Sequence, residues 1–188
     1  MPGSGLNVPF YQKVLVRDEI SNAVSNGVLY ACGKTLQLDA GEYVDIVIDP
    51  GVSVTTLLEL SLLFRGDELG IKLFEGTTYV KNTGVLGDCT NVNRVATQAG
   101  IDAIKETWVE ANPTVVSAGV EILTWSILGT KLSGGTIGTV AEADIQLPII
   151  LPSEVVYTIR LTNLTAASGR SLEVVLQYID RLQQAPTV

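Results

Sequence analysis

The 188-residue chain contains no histidine. That absence removes the Ser-His-Asp and Cys-His arrangements of the larger hydrolase classes and takes from zinc its commonest nitrogen ligand. Cysteine is scarce as well. Cys32 and Cys89 stand far apart and in no C-x-x-C spacing, so neither a metal knuckle nor a redox motif is indicated. Two reduced, part-buried thiols are expected. Basic residues are few, with 12 Lys and Arg against 20 Asp and Glu for a formal charge of -8. An acidic surface repels phosphate backbones and anionic headgroups, so neither nucleic acid nor a membrane is expected as a partner. No apolar run approaches the roughly 18 residues of a membrane span. Met1 to Gly5 lacks the basic stretch and apolar core of a secretory signal. A protein made in a reducing cytoplasm and kept there until it joins a larger assembly is the expectation.

Hydrophobic residues make up 46% of the chain, enough for a core that needs no metal or disulfide, and 18 Gly with 7 Pro supply turns for many short strands. The pattern reads as an N-terminal arm over residues 1–12, followed by one domain over residues 13–188. Pro2, Gly3, Ser4 and Gly5 cannot form a packed element. Just beyond them Pro9, Phe10 and Tyr11 form a compact apolar cluster. It reads as an anchor on a partner subunit, the other reading being the start of the first strand.

Period-two alternation, the mark of half-buried strands, dominates the rest of the chain. Val28 to Cys32 is a strand candidate between Gly27 and Gly33. Thr35 to Asp39 and Glu42 to Ile48 come next, the latter ending at the turn Asp49-Pro50-Gly51. Thr55 to Arg65 places Leu58, Leu60, Leu62 and Phe64 on one face, with Leu63 the lone apolar residue opposite. Ile71 to Glu75 and Thr77 to Val80 continue the series. Asn82 to Thr97 reads as loop, and Thr107 to Val109 as strand within an ambiguous stretch over residues 99–110. Gly119 to Leu128 is mostly apolar and should be central. Ser133 to Gly138 reads as a flexible loop. The last pattern is an antiparallel hairpin, Val155 to Asn163 returning as Ser171 to Tyr178, with Ser168-Gly169 in the link. Together these indicate an all-β fold, an antiparallel β-sandwich of jelly-roll type with a flexible N-terminal arm.

Candidate chemistry is thin. Gly33-Lys34-Thr35 resembles the end of a phosphate loop, but Gly27 stands one position too far away and strand follows where a helix is required. Gly134-Gly135-Thr136-Ile137-Gly138 lacks the frame of a dinucleotide turn. The carboxylate pairs Asp67 with Glu68 and Glu142 with Asp144 read as solvated turns rather than a glycosidase pair. No dense oxygen-ligand spacing marks a calcium loop. Asn163-Leu164-Thr165 matches the glycosylation tripeptide without a secretory route to modification. Trp108, Trp125, Tyr79 and Tyr157 could line a sugar platform, although strand aromatics are more often core. Neither an enzyme, a cofactor nor a metal site is indicated.

Five stretches carry a family resemblance. Glu75-Gly76-Thr77-Thr78 leads towards Asn91-Val92-Asn93-Arg94, then Asn112-Pro113-Thr114, then Gly134-Gly135 and a closing hairpin that opens Tyr157-Thr158-Ile159-Arg160-Leu161-Thr162-Asn163. In this order, over roughly Gly76 to Tyr178, the chain resembles the head decoration or cement proteins of tailed bacteriophages. The resemblance implies a non-enzymatic virion protein on the outer capsid surface, bound where major-capsid subunits meet and usually homotrimeric. The rival class is a receptor or carbohydrate-binding module of a tail or fibre, which needs exposed aromatics.

Overall fold

The computed structural model describes residues 22–23, 28–86, 88–91, 107–131 and 139–182. The cluster Pro9, Phe10 and Tyr11, the N-terminal arm and the Gly134 loop lie outside the described residues. The elements are all strands: β1 (Leu29–Leu38), β2 (Tyr43–Asp49), β3 (Ser53–Phe64), β4 (Glu68–Glu75), β5 (Thr78–Val80), β6 (Val85–Leu86), β7 (Asp88–Asn91), β8 (Trp108–Ala111), β9 (Thr114–Ser117), β10 (Val120–Leu128), β11 (Thr130–Lys131), β12 (Thr139–Leu151), β13 (Tyr157–Asn163) and β14 (Arg170–Leu182). Two six-stranded antiparallel sheets form, in the orders β11-β12-β3-β14-β1-β7 and β10-β4-β13-β2-β8-β6, with β5 and β9 as a separate pair. The arrangement is compatible with a β-sandwich.

Alternation explains the packing. In β2, Val44, Ile46 and Ile48 point inward, and in β13 Tyr157, Ile159 and Leu161 do the same. They meet Leu60, Leu62 and Phe64 of β3 and Leu172, Val174 and Leu176 of β14 in one core cluster drawn from both sheets. Each fully buried side chain of this size stabilises the fold by about 1.5–3 kcal/mol relative to exposure. A smaller cluster forms from Ala23, Leu29 and Ile179, with Val28 and Leu58 packed against it.

Several expectations change. β13 and β14 do not form a hairpin: β13 pairs with β2 and β4 in one sheet, while β14 pairs with β1 and β3 in the other. The link between them crosses from sheet to sheet, as the Asp49-Pro50-Gly51 turn also does between β2 and β3. The closing hairpin is therefore lost as a landmark of the family resemblance. Gly33 lies inside β1 rather than ending it, paired with Val175. Leu58 leaves the core face because β3 carries an extra residue there: Gln177 pairs with Glu59 and Tyr178 with Leu57. Leu57 takes its place inside, 5% exposed. Part of the expected Asn82 to Thr97 loop is strand, in β6 and β7. Finally β10 is an edge strand, not a central one.

Cys32 and Cys89 are joined in a disulfide, which overturns the expectation of two free thiols. β1 and β7 are antiparallel neighbours, and their register sets the two cysteines directly opposite each other with Cα atoms 4.0 Å apart. Sequence distance concealed a pairing that the sheet makes immediate.

Candidate functional site

Two of the stretches that carry the family resemblance meet at one joint. Gly76, at the end of β4, has φ of 74°, a left-handed torsion that glycine adopts without strain. The turn lets the backbone N–H of Gly76 and Thr77 donate to Val156 O at 2.9 and 3.1 Å. The Thr77 hydroxyl donates to Ala118 O at 2.7 Å and lies 2.8 Å from the Thr158 hydroxyl. Tyr157 OH donates to Glu75 Oε1 at 3.0 Å. Burial, with the Glu75 hydrogen bond and charge added, pushes the Tyr157 phenol up to about 12. Asn112 takes φ of 52° and ties the next landmark to β2: its N–H donates to Asp45 O at 2.7 Å, and its Oδ1 accepts from Asp45 N at 3.1 Å.

At the other end of β13, Asn163 is fully buried. Its Nδ2 donates to Leu38 O, Asp39 O and Ala167 O at 3.3, 3.0 and 3.0 Å, and its Oδ1 accepts from Thr165 N and Oγ1 at 2.9 and 2.6 Å. The glycosylation tripeptide is thus a structural clamp, its amide spent inside the protein.

Two charge clusters occupy the face of the second sheet that points away from the core. Arg160 forms a two-pronged pair with Asp45, Nε to Oδ1 at 2.7 Å and Nη2 to Oδ2 at 2.8 Å. Its guanidinium lies 4.1 Å from the Tyr43 ring centre and 5.3 Å from that of Phe74. Tyr43, 49% exposed and the one aromatic among the exposed large apolar residues described, is therefore already stacked on its own arginine. In the second cluster Tyr79 OH donates to Asp49 Oδ2 at 3.0 Å, Lys81 Nζ lies 3.6 Å from the same oxygen, and Lys81 sits 4.7 Å over the Trp108 ring. Glu110, fully buried, accepts from Trp108 Nε1 at 3.0 Å, from Asn82 N at 3.1 Å and from Gly84 N. Burial pushes its carboxyl up, but hydrogen bonds from Trp108 and the Gly84, Asn82 and Thr83 backbone outweigh it and hold the group below the usual carboxylate range. A carboxylate held ionised with both oxygens engaged is a strut, not a proton shuttle.

The two carboxylate pairs lie on different sheets. Glu68 begins β4 beside the Asp67 turn. Glu142 and Asp144 lie in β12, not in a turn, at register positions opposite Leu63 and Ser61. Gly33-Lys34-Thr35 is mid-strand, paired with Val175, Val174 and Glu173. Of the aromatics considered as a sugar platform, Tyr157 is core and Trp125 packs against the core, while Tyr79 and Trp108 are engaged in the Asp49 and Glu110 cluster. Among the described residues no group of three or more His, Cys, Asp or Glu could hold a metal ion.

The remaining feature is an apolar edge at β10, whose run Gly119 to Leu128 was expected to be central, with β9 leading into it. Val116 in β9 and Val120 and Leu128 in β10 are 72%, 69% and 70% exposed, and Ile122 and Leu123 are exposed as well. Gly119, with φ of 89°, joins β9 to β10; a Cβ there would collide with the Glu75 carbonyl oxygen. No protein-family model matches the chain, and no curated protein matches it.

Proposed function

We propose that the protein is a non-enzymatic virion component that decorates the outer surface of a phage capsid, bound where major-capsid subunits meet. The observation that supports this reading is the joint at Glu75, Thr77, Tyr157 and Thr158. Two of the motifs, weak one by one, are bonded to each other at 2.8 and 3.0 Å and form one structural unit. The disulfide agrees with a finished location outside the reducing cytoplasm, such as a released particle. The charge of -8 suits an external position better than a DNA-filled interior. A jelly-roll connection pattern and a homotrimer on the capsid belong to the same reading, as does an anchoring role for Pro9, Phe10 and Tyr11. The rival, a glycan-binding tail module, is less well served, because the exposed aromatic Tyr43 is occupied by Arg160.

Co-sedimentation with empty heads assembled from a co-produced major-capsid protein tests the reading. The full chain should pellet with heads. A chain lacking residues 1–12 should keep its melting temperature and stay in the supernatant. Failure of the full chain to pellet overturns the decoration role; unchanged pelleting of the shortened chain overturns the anchor.

A further inference from the structure

Sheet edges attract other strands, and proteins blunt them by keeping edge strands short or by placing Lys, Pro or bulges on them. Three of the four edges of the two sheets follow that rule: β6 and β11 have two residues each and β7 has four. The fourth, β10, has nine residues, Val-Glu-Ile-Leu-Thr-Trp-Ser-Ile-Leu. It contains neither Lys nor Pro. Its one charge, Glu121, is matched by Lys72 at 2.7 Å. A bulge falls at Ile122, but from Leu123 to Leu128 the pairing with β4 runs unbroken, and among the described residues no strand pairs with the other side.

We propose that this edge pairs with the same edge of a second copy, antiparallel, about a two-fold axis normal to the sheet. The occupant follows from edge length. Any other edge of the described sheets offers at most four residues to pair with, whereas a second β10 offers nine. Continuing the sheet requires residues opposite each other to share a face, so the register is centred on a residue. Centring on Trp125 sets Leu123 against Ile127 of the copy, Thr124 against Ser126, and Trp125 against itself. This joins the half-buried Trp125 and Ile127 and the exposed Leu123 of both protomers in one row and opposes no like charges. In that register Ile122 to Leu128 pair with their counterparts; seven residues at about 3.4 Å each span roughly 24 Å, and a two-layer flank is some 20 Å deep, so about 950 Å² in total is covered, close to the roughly 1,000 Å² that a specific interface needs. The contact is independent of the capsid reading and two-fold where that reading implies three-fold, because a closed three-fold ring would join β10 to a different and shorter edge.

Light scattering on the full chain at about 20 µM tests it. Wild type should have twice the chain mass of 20.0 kDa. Thr124→Lys with Ser126→Lys, both exposed positions, sets four ammonium groups across the contact and should give monomer, with dissociation at least tenfold easier and the far-ultraviolet spectrum unchanged. Val175→Lys, an exposed residue of β14, should remain dimeric. A wild-type monomer, a wild-type trimer, or a dimer that survives the paired lysines overturns the proposal. The trimer outcome leaves the decoration role intact, and head binding by a protein that is monomeric in solution would do the same.

Discussion

Asn163 shows how a polar side chain can organise a β fold. One amide bonds three carbonyls from the β1 end and the β13–β14 link and also holds Thr165. Asn163→Ala leaves those buried groups unmet, and at about 1–3 kcal/mol for each group that water cannot reach, the loss should come to roughly 2–4 kcal/mol. Urea denaturation reads it directly, and a change under about 0.5 kcal/mol would mean the clamp is dispensable. Glu110 gives a pH signature. Its folded-state carboxyl titrates below the unfolded one, so its stabilisation is complete above the ordinary carboxylate value of about 4.3 and drains away as pH falls through the lower, folded value. Glu110→Gln should therefore be less stable than wild type at pH 7, with the gap in melting temperature closing towards pH 3. A gap that stays constant over that range would rule out the ionised strut. In the sequence Asn163 stood out only as part of a glycosylation tripeptide and a family landmark, and Glu110 not at all, because a buried Asn in a strand and a Glu beside a Trp are spelled like their exposed counterparts.

Elements were legible through alternation, and their partners were not. The periods in Glu42 to Ile48, Ile71 to Glu75 and Tyr157 to Asn163 correspond to strands β2, β4 and β13. A Pro-Gly or Ser-Gly turn, however, states that the chain reverses and not whether it reverses within one sheet or across the roughly 10 Å between two. That is why β13 and β14 read as a hairpin and are an arch. β10 misled for a related reason, since an apolar run marks a strand that is covered by something, and the cover need not belong to the same chain. The disulfide was missed because spacing arguments look for local motifs, while Cys32 and Cys89 meet only through register. It closes a separation of 57 residues, for which loop entropy gives about 4 kcal/mol, with 2–4 typical in practice. Cys32→Ala with Cys89→Ala should lower stability by that amount, and intact denatured protein should show no free thiol by maleimide mass shift. Two reactive thiols in protein prepared without reductant would refute the bridge.

At the scale of the molecule, the two sheets share a core but not an order of construction. β13 lies in the middle of one sheet, between β4 and β2, and β14 in the middle of the other, between β3 and β1. Both come from the last quarter of the chain. During synthesis β1 to β4 emerge before any of their neighbours, since none of these four pairs with another; they wait for β7, β8, β12 and β10, and then for β14 and β13. Neither sheet can close while residues 157–182 are still inside the ribosome. A chain that stops before Tyr157 therefore holds only separate groups of strands, β11-β12-β3 and β1-β7 from one sheet and β10-β4 and β2-β8-β6 from the other, with the edges that β13 and β14 fill left open. Emergence of residues 157–182 is thus the step that joins the strand groups of each sheet into one body.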